Sequence, residues 1–122
     1  MILCEHCFQD KEIASIIRSV SPNNIGNCPV CRSSKGHLYD TDNQNDLTSY
    51  FEELLSIYTP SSLLPKNFPK AEARSLIDDI NERWNIFADI TRAQIYEILK
   101  SICGDLFADA PELLDGTVGI SE

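Results

Sequence analysis

Four of the five cysteines stand as Cys4-Glu5-His6-Cys7 and Cys28-Pro29-Val30-Cys31, two C-x2-C pairs with twenty residues between them. Thiolates at that spacing are metal ligands: two cysteines three positions apart in a tight turn aim both sulfurs at one ion, while amides of the turn donate to the sulfurs. Zinc accepts a tetrahedral set of four sulfurs without redox chemistry. A filled shell has no place for water or substrate, so one zinc per chain on Cys4, Cys7, Cys28 and Cys31 is expected to be structural and to contribute folding free energy. Iron in the same four-sulfur set, redox thiols and small core residues are the other readings of this pattern. His37 could replace one sulfur, leaving a cysteine idle, whereas His6 lies inside the first turn and is expected at the surface. Cys103 falls in an apolar helical pattern and reads as a buried, inert thiol.

No catalytic constellation accompanies the metal signal. Asp78, Asp79 and Glu82 are closely spaced acids, but no partnered histidine or glycine-rich phosphate cradle goes with them, so they read as helix surface. No cofactor other than zinc is implied.

The elements that must hold these residues are mostly helical by pattern. Ile13, Ile16, Ile17 and Val20 share one helical face between the two cysteine pairs, with Asp10 as N-cap. Ser21 to Asn24 is a turn, Gly26 is read as supplying a positive backbone angle, and Gly36 to Asp40 is a short extended segment. The polar stretch 40–46 reads as a linker. Asp46 is expected to cap a helix carrying Leu47, Tyr50, Phe51, Leu54, Leu55 and Tyr58. Pro60, Pro65 and Pro69 make 59–69 a loop, anchored by Leu63, Leu64 and Phe68. Leu76, Ile77, Ile80, Trp84 and Phe87 mark a helix ending near Asp89. Thr91-Arg92-Ala93-Gln94 has the capping-box pattern before Ile95, Ile98, Leu99 and Ile102. Gly104 closes or kinks that helix, and Leu106 and Phe107 add apolar surface.

The expected fold class is mainly α, with a small zinc-ribbon-like four-cysteine knuckle unit (1–45) packed with a helical bundle (46–110) around Phe51, Leu54, Ile80, Trp84, Ile95 and Leu99. Residues 111–122 read as a weakly structured tail. The whole is expected to form one domain, in keeping with 122 residues. The formal charge of -9 divides as -1 on residues 1–45 and -8 on 46–122, which disfavours a phosphate-neutralising surface and nucleic acid as partner. The acidic helices read as a solvated face or as a dock for a basic protein. The longest apolar runs are too short to cross a bilayer, and the amino terminus lacks a basic region followed by an apolar stretch. A cytoplasmic chain without a membrane partner is therefore expected.

Cys4-Glu5-His6-Cys7-Phe8 with Asp10, the Ile13-Ile16-Ile17 face, Gly26-Asn27-Cys28-Pro29-Val30-Cys31 with Ser33, and the helix start near Asp46-Leu47 together resemble the zinc-binding N-terminal domain that precedes RES-type or HEPN-type toxin domains in bacteria. The resemblance covers the knuckle unit and, more loosely, the helices to about residue 107. It implies a regulatory, targeting or oligomerising role beside an effector that attacks NAD or RNA. The implied partners are another protein, a fused effector domain or a second copy. HEPN ribonucleases use an arginine followed a few residues later by a histidine in a helical setting; here the pair of that spacing, Arg32 and His37, falls in the turn after the second knuckle. The expected function is a non-catalytic zinc-stabilised interaction domain, from a longer effector or free-standing. The alternatives are an NAD-cleaving or ribonuclease component and a nucleic-acid-binding zinc module.

Overall fold

The computed structural model describes residues 1–60, 74–104 and 117–120. The chain opens with strand β1 (Ile2–Cys4) and a single 3-10 turn, Glu5–Cys7, and then enters helix α1 (Lys11–Val20). α1 starts where Asp10 accepts hydrogen bonds from the amides of Glu12 and Ile13 at 2.9 and 3.0 Å, satisfying two donors that the first turn leaves open. Its Ile13 and Ile17 are fully buried and Ile16 is partly so, whereas Val20, expected on the same face, is exposed at the end of the helix.

Strands β2 (Ile25–Gly26) and β3 (Gly36–Asp40) return the chain to β1. The antiparallel sheet runs β1-β3-β2, with Leu3 opposite Tyr39, Cys4 opposite Leu38 and Gly26 opposite Gly36. Gly26 thus serves as a strand residue with no positive φ, unlike the turn role expected of it. Its side of the ladder is tight, because an added Cβ would meet Leu38 Cδ1 at 3.1 Å.

Helix α2 (Thr48–Leu55) begins without the Asp46 cap; the amide of Leu47 instead donates to the hydroxyl of buried Tyr39 at 3.2 Å. Tyr39 reaches the helix start from β3, eight residues back. The helix also stops short of Tyr58, since Pro60 biases Thr59 towards extended backbone and Tyr58–Pro60 becomes strand β4. After β5 (Arg74–Ser75), helix α3 (Leu76–Asp79) widens into a π turn at Ile80–Trp84. There the amide of Asn85 donates to the Ile80 carbonyl, five residues back, at 3.1 Å, and Asn85 takes the left-handed conformation at φ 49°. The helix expected to reach Asp89 therefore ends at Trp84. Helix α4 (Arg92–Cys103) opens with the expected capping box, Thr91 and Gln94 each bonding the other's backbone amide. Gly104 continues with helical angles, φ -50° and ψ -46°. Strand β6 (Thr117–Ile120) lies between β4 and β5 as the middle of a second antiparallel sheet, although this segment reads as weakly structured in sequence. The roles expected for Leu63, Leu64, Phe68, Leu106 and Phe107 lie outside the described residues.

The knuckle segment and the later helices share one core. The amides of Gln9 and Asp10 both donate to the Ile86 carbonyl at 2.7 and 3.2 Å, and the amide of Ala88 donates to the Cys7 carbonyl at 2.9 Å. This brings Phe8 beside Phe87, with ring centroids 5.4 Å apart, and both rings pack against Phe51. Aromatic contacts of this kind contribute about 0.5–1.5 kcal/mol each beyond area burial. Phe51, Ile80, Ile95 and Leu99 are buried as expected, Leu54 is half-buried, and Trp84 is 42% exposed. Trp84 thus belongs to the surface, placed there by the π turn. The described residues combine helices with two small sheets, and none of their helices is long and apolar enough to cross a membrane.

Candidate metal centre

The four cysteines come from three local structures. Cys4 ends β1, Cys7 ends the 3-10 turn, and Cys28 and Cys31 lie on a turn closed by two hydrogen bonds, from the Cys28 amide to the Ser33 carbonyl and from the Arg32 amide to the Cys28 carbonyl, both 2.9 Å. Arg32 completes that turn in the left-handed conformation at φ 65°, a geometry that costs an L-residue about 1–2 kcal/mol. The turn is held in spite of that cost.

The four sulfurs all lie within 4.8 Å of one another. Cys4 Sγ is 3.4 Å from Cys31 Sγ, and Cys7 Sγ is 3.6 Å from Cys28 Sγ, so the close pairs run between the knuckles. A tetrahedral ion with sulfur at about 2.3 Å needs sulfur–sulfur edges of about 3.8 Å. The donor set and its spacing therefore suit a four-coordinate metal: those two edges open by a few tenths of an ångström, and the remaining edges, within 4.8 Å, adjust to match. None of the five cysteines is paired in a disulfide.

The thiols are not equivalent. Burial pushes Cys4 up to about 12, helped by the neighbouring thiol of Cys31, and burial also raises Cys7. Cys31, the least buried of the four, ends at about 7: burial acts to raise it, but hydrogen bonds from the Ser33 hydroxyl and amide and from the Cys4 and Cys28 thiols together outweigh burial. Ser33 Oγ lies 3.3 Å from Cys31 Sγ. The His6 amide makes the equivalent contact to Cys4, so a backbone donor two residues further on steadies one sulfur in each knuckle region, that of the first cysteine in one and of the second in the other. A metal taken up here displaces thiol protons, which makes its affinity fall with acid.

Around this cluster the fold supplies three supports that spacing alone does not reveal. Gly36 lies directly on Cys4: a Cβ there would be 2.6 Å from Cys4 Cβ and 2.7 Å from its sulfur. A glycine within a strand can signal such close approach. Glu5, between the first two cysteines, is 95% buried and accepts from the amide of His37 at 2.7 Å and from His37 Nδ1 at 2.8 Å. Burial acts to raise the Glu5 carboxyl, but the His37 contacts and Glu5's own amide together outweigh it and leave it below the ordinary value. Gln94 Nε2 donates to the Val30 carbonyl at 2.9 Å, tying the start of α4 to the second knuckle.

His37 therefore faces Glu5, outside the sulfur set, and His6 is exposed as expected. Arg32 lies in a turn and His37 in β3. Cys103 is fully buried, and burial with the Glu52 charge pushes its thiol up to about 12. The acids at 78–82 divide in an unforeseen way. Asp78 is half-exposed and pairs with Arg92, while Asp79 is completely buried, accepting from Tyr58 Oη at 2.6 Å and from Arg83 Nε at 3.1 Å. Asp79 is thus interior, contrary to its reading as surface, because it stands three positions after buried Leu76 on the same helical face, where the Tyr58 hydroxyl meets it.

No family model, curated protein or solved structure matches this chain.

Proposed function

We propose that this chain is a zinc-stabilised, non-catalytic regulatory and protein-interaction module of a bacterial toxin or defence effector, acting in the cytoplasm as part of a longer effector or as a free-standing relative. The observation that carries the reading is the set of four converging cysteine sulfurs, Cys4, Cys7, Cys28 and Cys31. Four sulfurs fill a tetrahedral zinc shell, so the metal's contribution is to folding: it clamps β1, the first turn and the second knuckle into a platform. On that platform a mainly α body is built, with α2, α3 and α4 forming the bundle. Zinc is favoured over iron because a non-catalytic interaction module has no electron to transfer; the four-sulfur set by itself suits either metal. The effector context rests on the resemblance of the knuckle segment to HEPN/RES N-terminal zinc-binding domains.

The test is purification at native expression level, followed by solution mass and assays for NAD cleavage and RNA cleavage. The reading expects a stable complex with an effector protein or a dimer, and no turnover by the isolated chain. Turnover that survives rigorous purification and is lost on mutation of this chain would overturn it in favour of an effector component. Cys28→Ser is expected to abolish zinc-dependent folding.

A further inference from the structure

The groove that α1, α2 and the π turn enclose is lined by Glu12, Tyr50, Glu53, Leu54, Ile57 and Trp84, with a volume of about 460 Å³. This is a size for a few side chains. We infer that it receives a short amphipathic segment of another protein whose apolar side chains are flanked by arginine or lysine. The inference rests on the interaction-module reading above and names the surface and the partner's chemistry.

The floor of the groove is apolar by commitment of its polar atoms elsewhere. Trp84 Nε1 donates to Tyr58 Oη at 3.1 Å, and that hydroxyl donates in turn to buried Asp79. The indole is thereby fixed, and its exposed 42% is presented without its one hydrogen-bond donor. Tyr50 Oη donates to Asp10 Oδ2, the N-cap of α1, at 2.9 Å, so its ring is likewise held with its polar end occupied. Leu54 and Ile57 are half-buried beside them. Fixed aromatic surface binds with little loss of side-chain freedom.

The rim decides the partner's charge. Both charged residues lining the groove, Glu12 and Glu53, are acidic and exposed, and neither has an ion-pair partner among the described residues. Lysine or arginine placed there gains carboxylate partners and, over Trp84 or Tyr50, a cation–π contact. A phosphate backbone would be repelled by the same two carboxylates. An isologous second copy would set Glu12 and Glu53 against their own equivalents, which leaves a basic, amphipathic protein segment as the complementary occupant.

Trp84 is the chain's single tryptophan, so its emission reports this site alone. The probe is a capped helical peptide with leucine at i, i+3, i+4 and i+7 and arginine between, titrated into the full chain beside the same peptide carrying glutamate for arginine. A saturable blue shift with the arginine peptide, absent with the glutamate peptide, is expected. Glu12→Gln with Glu53→Gln should weaken binding about tenfold, and Ile57→Asp should abolish it with far-UV circular dichroism unchanged. Glu97→Gln, at an exposed position in α4, should leave binding as it was.

The inference is overturned if both peptides act alike or neither shifts the emission, or if Glu97→Gln weakens binding as much as the groove pair. It is also overturned if Trp84 shifts with protein concentration alone, which would assign the groove to a second copy. Peptide failure on a chain that still forms a stable effector complex refutes the groove and leaves the module. An isolated chain with turnover of its own refutes the module whatever the peptides do.

Discussion

Gly36→Ala offers a severe test of how the metal centre is built. A Cβ at position 36 would lie 2.6 Å from Cys4 Cβ and 2.7 Å from Cys4 Sγ, whereas non-bonded carbons rest at about 3.5–4.0 Å. The overlap is therefore about 1 Å. Cys4 has little room to yield, since it is paired with Leu38 in the β1–β3 ladder and its sulfur sits 3.4 Å from that of Cys31. Overpacking of this sort costs about 1–3 kcal/mol. If the strain falls on the ligand rather than on the strands, zinc affinity drops about 5- to 150-fold. Competition against a chromophoric chelator reads that loss, and zinc-titrated circular dichroism shows whether the fold recovers at higher metal. The other two glycines with defined surroundings are internal controls. Gly26→Ala meets only the flexible end of Leu38 and should be mild. Gly104→Ala meets nothing within 4 Å in a helical backbone and should stabilise by about 0.4–1 kcal/mol. The reasoning is refuted if Gly36→Ala binds zinc within about twofold of the parent chain or if Gly104→Ala is the most damaging of the three.

Three further outcomes follow from the interior. Cys103 should resist alkylation at neutral pH until the chain is unfolded, because burial holds its thiol near 12; Cys103→Ala should cost about 1–3 kcal/mol in a denaturant titration. Burial, together with the hydrogen bond to Asp79, raises Tyr58 from 10 to about 12. Its contribution to stability is therefore present in full below pH 10 and is lost as pH rises towards 12, and Tyr58→Phe should flatten that alkaline limb in pH-dependent unfolding. Gln94→Ala removes both the reciprocal cap at Thr91 and the bond to the Val30 carbonyl, and should lower the melting free energy by about 1–2 kcal/mol.

What the sequence made legible was local. The C-x2-C turns, the Asp10 cap and the Thr91–Gln94 box each place their partners within a few residues, so residue type and spacing suffice to read them. The supports of the cluster are non-local: Glu5 meets His37 across 32 positions, and Gln94 reaches Val30 across 64. Neither contact leaves a periodic signature. The π turn had the same effect on the later helix. Helical periodicity puts Trp84 in line with Ile77 and Ile80, but one extra residue in the turn, closed by Asn85, sends Trp84 outwards; Asp79 was hidden for another reason, its partner Tyr58 lying 21 positions away. The middle strand β6 was hidden because its pairing with β4 and β5 depends on segments far from it in the chain.

The most direct test of the central claim is metal analysis joined to X-ray absorption at the metal edge on the purified full chain. One zinc per chain with four sulfur scatterers at about 2.3 Å and no nitrogen or oxygen in the shell is the expected result. Cooperatively folded protein without metal, or a shell with fewer than four sulfurs, would contradict it.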